Sequence, residues 1–359
     1  MNNYGKIINC VVILLCCVAA SFALAQPQNS RLTTSNSYVE RGAKWSAKGD
    51  WDRALSDYEL AVAADPTNAL AFYNRGVVRY RINNLEGALA DFNRTLQLNP
   101  ALIEAWLHRS NIAFLRGDFE AAIKDGSQVI KLSPHSAEAW CNRGQVRRSK
   151  GDLVGAISDN TKAIELNPRL AEAWEIRGLA RFQQGALTGA LADVNQSLKL
   201  NPNRAENYGQ RGTIKFHLRD YEGAIADHTQ EIKLMPTKAQ AWSDRGSARA
   251  AKGDWDGAFQ DFNQAIKVDP NLPPAYFGRA AVWKEKGSWE QALNDYDRCI
   301  ENNPKFADAY AQRGLCRLRQ GEEAEAQADF DECLRLNPTL KASLEQEISK
   351  AKAQRTRKP

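Results

Sequence analysis

Long hydrophobic runs are missing from this 359-residue chain beyond its first 25 residues. No later segment approaches the roughly 20 apolar residues that a membrane-crossing helix needs, so a polytopic membrane protein is excluded. Histidine is scarce, and His108, His135, His217 and His228 fall in unrelated sequence surroundings. No HExxH, partnered Ser or Cys, phosphate loop or dinucleotide-type glycine pattern accompanies them, so the sequence nominates no catalytic residue, no metal ligand and no cofactor. An excess of one charge is also lacking. The net formal charge of +5 comes from the ends: residues 341–359 carry six basic and two acidic residues, and residues 26–340 balance at 41 against 41. Nucleic-acid affinity is built largely from neutralised phosphates, so no nucleic acid is expected as a partner. With 43% hydrophobic and 25% charged residues, the composition is nevertheless that of a folded globular protein.

Cysteine is thinly used as well. Three of seven, Cys10, Cys16 and Cys17, lie in the apolar N-terminus, and the spacings of Cys141, Cys299, Cys316 and Cys333 fit no zinc or redox motif. Residues 1–25 read as a secretory signal. Lys6 is followed by the apolar stretch Ile7 to Ala25, and Ala23-Leu24-Ala25 places small residues at −3 and −1 of a cleavage site before Gln26. The expected location is therefore periplasmic or secreted, and the alternative is an uncleaved N-terminal helix that anchors the chain. Contact with a membrane is expected only through that N-terminus or the basic tail at residues 354–359. A lipoprotein reading is weaker, because Cys16 and Cys17 follow Leu15 where a small residue is wanted.

What the sequence does have is a repeat. At a 34-residue offset it falls into register nine times from residue 35 to residue 340 without insertion or deletion, the copies starting at Ser35, Ala69, Ile103, Ala137, Ala171, Ala205, Ala239, Pro273 and Ala307. Position 4 of each copy is aromatic (Tyr38, Phe72, Trp106, Trp140, Trp174, Tyr208, Trp242, Tyr276, Tyr310), position 8 is small, position 20 is Ala and position 32 is Pro. Apolar and small residues at 4, 8 and 11 and at 20, 24 and 27 recur at helical spacing, which predicts two amphipathic helices per repeat, each too short to be stable alone. Gly or Asn at position 15, usually followed by Asp, breaks the chain between them, and the Pro at 32 ends the second. If the connection centres near 15 to 16, antiparallel helices bring level those positions whose numbers sum to about 31.

This pattern resembles the tetratricopeptide repeat family, and the resemblance covers 306 residues. It implies an all-α, right-handed solenoid of antiparallel helix pairs, with helix A of each repeat lining the concave face. A half-unit at 341–353, with Leu344 and Ile348 in the places of positions 4 and 8, is expected to cap the last repeat, and 354–359 to form a disordered tail. Outside the signal, a nine-residue linker at 26–34 and the array, 19 residues remain, too few for a catalytic domain. A non-enzymatic, exported interaction scaffold or adaptor is the expected function, with a self-assembling scaffold or a receptor for an envelope polymer as alternatives.

Position 7 departs from the family. It is Arg in all nine repeats, where Leu is usual, and position 23 is Asp in all nine. The level arithmetic puts the two about one residue apart across a helix pair. Structural ion pairs are therefore expected, among them Arg75 with Asp91, Arg143 with Asp159, Arg177 with Asp193 and Arg245 with Asp261. The rival reading is a ladder of arginines offered to an anionic ligand. The nine tryptophans all fall on signature positions and are read as packing residues. Cys299 and Cys316 lie on adjacent helices about one turn out of level, which favours small buried thiols over a disulfide. The resemblance assigns the groove mainly to positions 2, 5, 9, 12 and 13 of helix A. The residues there that suit a peptide or helix ligand, protein in nature and possibly a second copy of the chain, are Tyr73, Val77, Tyr80, Leu107, Phe114, Leu115, Leu179, Phe182, Phe216 and Phe277; packing between neighbouring A helices is the other use for them. The chaperone-binding subgroup carries Lys at 5 and Asn at 9, and only Asn111 matches, so that function is not inferred.

Overall fold

The computed structural model describes residues 30–355, and all regular structure among them is helical. The N-terminal signal and the end of the basic tail lie outside the described residues. The chain divides into two compact units, up to Gly117 and from Asp118. The first holds α1 (Ser30–Ala47), α2 (Trp51–Ala64), α3 (Ala69–Arg81), α4 (Leu85–Leu98) and α5 (Ile103–Leu115). The second holds α6 (Phe119–Leu132), α7 (Ala137–Lys150), α8 (Leu153–Leu166), α9 (Ala171–Gln183), α10 (Leu187–Leu200), α11 (Ala205–His217) and α12 (Tyr221–Leu234). It continues through α13 (Ala239–Lys252), α14 (Trp255–Val268), α15 (Pro273–Glu285), α16 (Trp289–Asn302), α17 (Ala307–Gln320) and α18 (Glu323–Leu336) to α19 (Lys341–Arg355). Odd-numbered helices up to α17 are the A helices of the repeats. Even-numbered ones are the B helices, and in each unit successive helices stack as antiparallel neighbours.

The repeat columns explain the packing. The alanine at position 20 has no exposed surface in any repeat, from Ala54 to Ala326, so helix B lies close against its neighbours there. The small residue at 8 makes room for the side chain at 24. A β-carbon added to Gly76 would stand 2.9 Å from Phe92, and one added to Gly246 the same distance from Phe262. At the A–B turn, position 15 takes a positive φ, which glycine meets without strain; Asn83 and Arg219 adopt it with φ of 63°. Arg219 corrects the expectation of Gly or Asn at every position 15. Asp or Asn at 16 then caps helix B, as where Asp152 Oδ1 accepts from Gly155 N and Asp254 Oδ1 from Gly257 N, both at 2.9 Å. The Asn before Pro closes the other end, its side chain accepting the amide two residues on, as Asn99 does from Ala101 and Asn303 from Lys305.

Both ends of the described array differ from the expected boundaries. Helix α1 begins at Ser30, inside the expected linker and three residues after Pro27, and no proline or glycine lies between Ser30 and Ser35 to break it. Its exposed side is polar, with Thr33, Asn36, Glu40 and Lys44 facing water. Helix α19 runs to Arg355, two residues past the expected end of the cap. Its Leu344 and Ala351 are buried against Ala311, Leu318 and Phe330, with Ile348 packed beside them. Cys141, Cys299, Cys316 and Cys333 are free buried thiols. Burial pushes Cys299 up to about 12 and Cys316 to about 11, where the inert thiol form dominates. No described helix is long and apolar enough to cross a membrane.

Candidate interaction surface

The charged columns are consumed inside the fold. Arg75, Arg143, Arg177 and Arg245 each grip the position-23 Asp of the same repeat with Nε and Nη2, at 3.0 and 2.7 Å to Asp91, 2.8 and 2.7 Å to Asp159, 2.9 and 2.8 Å to Asp193, and 2.9 and 2.7 Å to Asp261. The remaining donor, Nη1, turns the other way. It reaches position 25 of the preceding B helix: Arg143 to Ser127, Arg177 to Thr161, Arg211 to Asn195, Arg245 to Thr229, Arg279 to Asn263 and Arg313 to Asp297. The guanidinium also lies over the aromatic ring at position 4, 4.8 Å from the centroid of Trp174 in the case of Arg177. That ring is itself tied to the repeat before, since Trp140, Trp174 and Trp242 donate Nε1 to the carbonyls of Pro134, Pro168 and Pro236 at 3.0 Å. Arg143, Arg177 and Arg245 therefore each join three helices and have few donors left for a ligand, which speaks against an anion-binding ladder.

A second cation completes the site, and the sequence reading passed over it. Position 11, aromatic in the family pattern, is Arg79, Arg147, Arg181, Lys215, Arg249 or Arg317 in six repeats, and each reaches the same Asp at 2.7–3.1 Å. The signal was a column of basic residues twelve positions before the Asp. The acceptor at position 25 left a fainter one, since Asn, Ser, Thr and Asp share only the ability to accept.

The groove candidates are placed unit by unit. In the first, Tyr73 and Tyr80 of α3 face His108 of α5 with ring centroids 5.9 and 5.7 Å apart, and His108 stacks on Phe92 at 5.2 Å. Burial holds His108 down to about 4, so its imidazole is neutral at pH 7, and its Nδ1 is shut off from water. Val77, Leu107 and Phe114 are half-buried nearby on α3 and α5, while Leu115 is exposed. In the second unit Phe182 of α9 meets His217 of α11 at 5.4 Å, Phe216 packs on Tyr221 at 5.5 Å, and Leu179 is half-buried. Phe277 of α15 lies against Tyr296 and Phe306 at 5.7 and 5.0 Å. These side chains thus serve partly as spacers between neighbouring A helices while keeping part of their surface open.

Repeats 3 to 6 carry Gly126, Asn160, Val194 and His228 at position 24, where Tyr58, Phe92, Phe262, Tyr296 and Phe330 stand in the other five. The buried His228 places Nδ1 3.1 Å from Oε2 of the buried Glu231, whose other oxygen accepts from Lys238 Nζ. Burial pushes the Glu231 carboxyl up, but those two donors outweigh it and hold it below the ordinary carboxylate range. Glu175 shows the opposite balance. It is raised chiefly by burial, although Arg204 Nη1 lies 3.0 Å from Oε2 and Gln210 donates to Oε1 at 3.3 Å. Among the described residues no group of His, Cys, Asp and Glu is arranged to hold a metal ion.

Sequence profiles described as tetratricopeptide repeat match residues 46–103, 109–168, 161–205 and 295–328, and one described as TPR repeat matches 246–287. The chain is similar to the crystal structure of a tetratricopeptide repeat protein from Parabacteroides merdae, at 23% identity and a TM-score of 0.59, over 69% of this chain and 98% of that one. It is also similar to a chain in the structure of the APC/C hetero-tetramer Cut9-Hcn1, at 13% identity and a TM-score of 0.58, over 88% of this chain and 76% of that one. At these identities the likeness is one of fold. No curated protein matches the chain.

Proposed function

Because this chain belongs to the tetratricopeptide repeat family, whose fold generally serves as a non-catalytic scaffold for protein interaction, we propose that it is an exported adaptor that holds a peptide or helix of a partner protein against its A helices. The observation that carries this reading is the set of half-buried aromatic and aliphatic side chains on the A helices, Tyr73, Val77, Tyr80 and Leu107 in one unit and Leu179, Phe182 and Phe216 in the other. The charged columns beside them are spent on one another, which leaves apolar contact as the main source of affinity. Export rests on the apolar N-terminal stretch and its Ala-x-Ala end. Edman sequencing of the protein isolated from the cell envelope should begin at Gln26, and a retained Met1 argues instead for an anchored chain.

The test of the partner class is crosslinking in the native envelope from photoreactive residues at Phe182 and Phe216, followed by binding measurements on the captured segment. Phe182→Ala should weaken peptide binding by about tenfold or more. Binding of an envelope polymer that survives Phe182→Ala and falls steeply with salt would replace this reading with a polymer receptor.

A further inference from the structure

Arg147, Arg148 and Lys150 crowd the last turn of α7, and two of these cations are committed. Arg147 reaches Asp159 at 3.1 Å, and Lys150 pairs with Glu120. Arg148 stands at position 12, where it breaks the run of rings made by Tyr80, Phe114, Phe182 and Phe216. Among the described residues its side chain has no ion pair and no hydrogen bond, and its Nε is shut off from water without an acceptor. Burial holds the guanidinium below the ordinary arginine value. The carboxylate that acts on it is Glu175 of α9, which is already held by Arg204 at 3.0 Å and Gln210 at 3.3 Å.

The repeat register explains why the fold supplies no partner. Position 12 meets position 6 of the following A helix in two other repeats: Tyr80 faces His108, and Lys284 donates to Gln312 at 2.6 Å. After Arg148 that place is taken by Ile176, which packs against the cluster of Cys141, Ala163 and Ala173 and has no acceptor. A half-buried charge without a counterion is a cost to the folded chain that an anion from outside would relieve.

We propose that Arg148 receives the side-chain carboxylate of an aspartate or glutamate in the segment that lies on Leu179, Phe182 and Phe216. The inference rests on the groove reading above and names the charge its occupant carries. A guanidinium fork and a carboxylate match in geometry as well as sign, so the contact would fix where along the groove the segment sits. The acid approaches the C-terminal end of α7, away from Glu138, Glu172 and Glu206, which stand at position 2 about 15 Å back along the A helices. A chain-end carboxylate is not the source, because positions 5 and 9 of α7 are Cys141 and Gln145 and not the Lys and Asn of the chaperone-binding pattern.

Selection from a library of random short peptides, displayed within a carrier so that no carboxyl end is free, tests this on the purified protein. Wild type should enrich apolar segments that carry one Asp or Glu, and Arg148→Glu should turn that preference to Lys or Arg. Replacing the acid of a selected peptide by its amide should weaken binding to wild type about tenfold and to Arg148→Gln less than about twofold. Phe182→Ala should lower affinity while the acidic preference remains, so the two readings fail separately. Urea titration checks the unliganded protein: Arg148→Gln should leave the midpoint unchanged or raise it, whereas Arg147→Gln, which gives up Asp159, should lower it. Apolar segments enriched without an acid, an acidic preference that persists in Arg148→Glu, binding only to peptides with a free carboxyl end, or Arg148→Gln as destabilising as Arg147→Gln overturns the proposal. A library that yields no apolar segment removes the groove reading and this proposal with it.

Discussion

The clasp at Arg177 offers the sharpest test of how the array holds together. Its side chain is 10% exposed and that of Asp193 2%, so both charges are largely out of water. Asp193→Ala would strand two guanidinium groups, because Arg181 Nη1 also lies 2.7 Å from the carboxylate. Leaving buried charge uncompensated costs about 3–5 kcal/mol. Arg177→Ala should cost less, about 2–3 kcal/mol, since Asp193 keeps Arg181 while Thr161 and the face of Trp174 lose their partner. In the double variant the second loss is largely already incurred, so the two effects should fall short of additivity by about 1.5–3 kcal/mol. Urea unfolding followed by circular dichroism measures the global effect. Hydrogen exchange at the amides of α9 and α10 should accompany it, because a repeat array can open locally. The pair Arg41 and Asp57 is the control: among the described residues no B helix precedes repeat 1, the Arg41 side chain is 54% exposed, and its coupling should be the smaller of the two. Additive single variants at Arg177 and Asp193, or equal coupling at both pairs, would refute the claim that burial between three helices gives the clasp its strength.

Three further outcomes are expected. Arg219→Gly relieves a left-handed backbone and should raise stability by about 0.5–1 kcal/mol in urea titrations, whereas the same change at the helical Arg211 should lower it. The two buried glutamates should respond to pH with opposite signs. Glu231, held low, adds stability above its unfolded value of about 4.3 that is lost as pH falls through its folded one; Glu175, held high, favours folding below that unfolded value and loses this contribution as pH rises. Glu231→Gln should therefore destabilise more at pH 7 than at pH 4, and Glu175→Gln should compare better with wild type at pH 7 than at pH 4; unfolding midpoints sharing one trend would contradict the assigned environments. Finally, Cys141, Cys299, Cys316 and Cys333 should resist a thiol reagent in the native protein and all four react in guanidinium, and a missing thiol there would reveal a disulfide.

The helix pairs were legible because their cause is local: a column of Ala at 20, small residues at 8 and breakers at 15 and 32 state the spacing nine times over. Arg at 7 and Asp at 23 could be matched by counting along antiparallel helices. The second cation at 11 escaped because the family pattern puts an aromatic there, as Trp45 and Trp283 do, and the column was not read on its own terms. The groove was legible only as a set of positions. Periodicity places Tyr80 and Phe182 on a face of helix A, but how far they turn toward His108 or His217 depends on side-chain direction and on the neighbouring helix. Arg219 broke a turn rule that eight repeats keep, and only the backbone shows that the turn forms regardless.

The arginine that reaches sixteen residues back and sixteen forward has a consequence for how such a chain can change length. Since Thr161, Asn195, Thr229 and Asn263 each receive the next repeat's guanidinium, this contact is interchangeable from junction to junction. A duplicated block of 34 residues would find an acceptor behind it and offer one ahead. Removing a block likewise brings an acceptor to a guanidinium that fits it, so the clasp itself sets no limit on the number of repeats in the array.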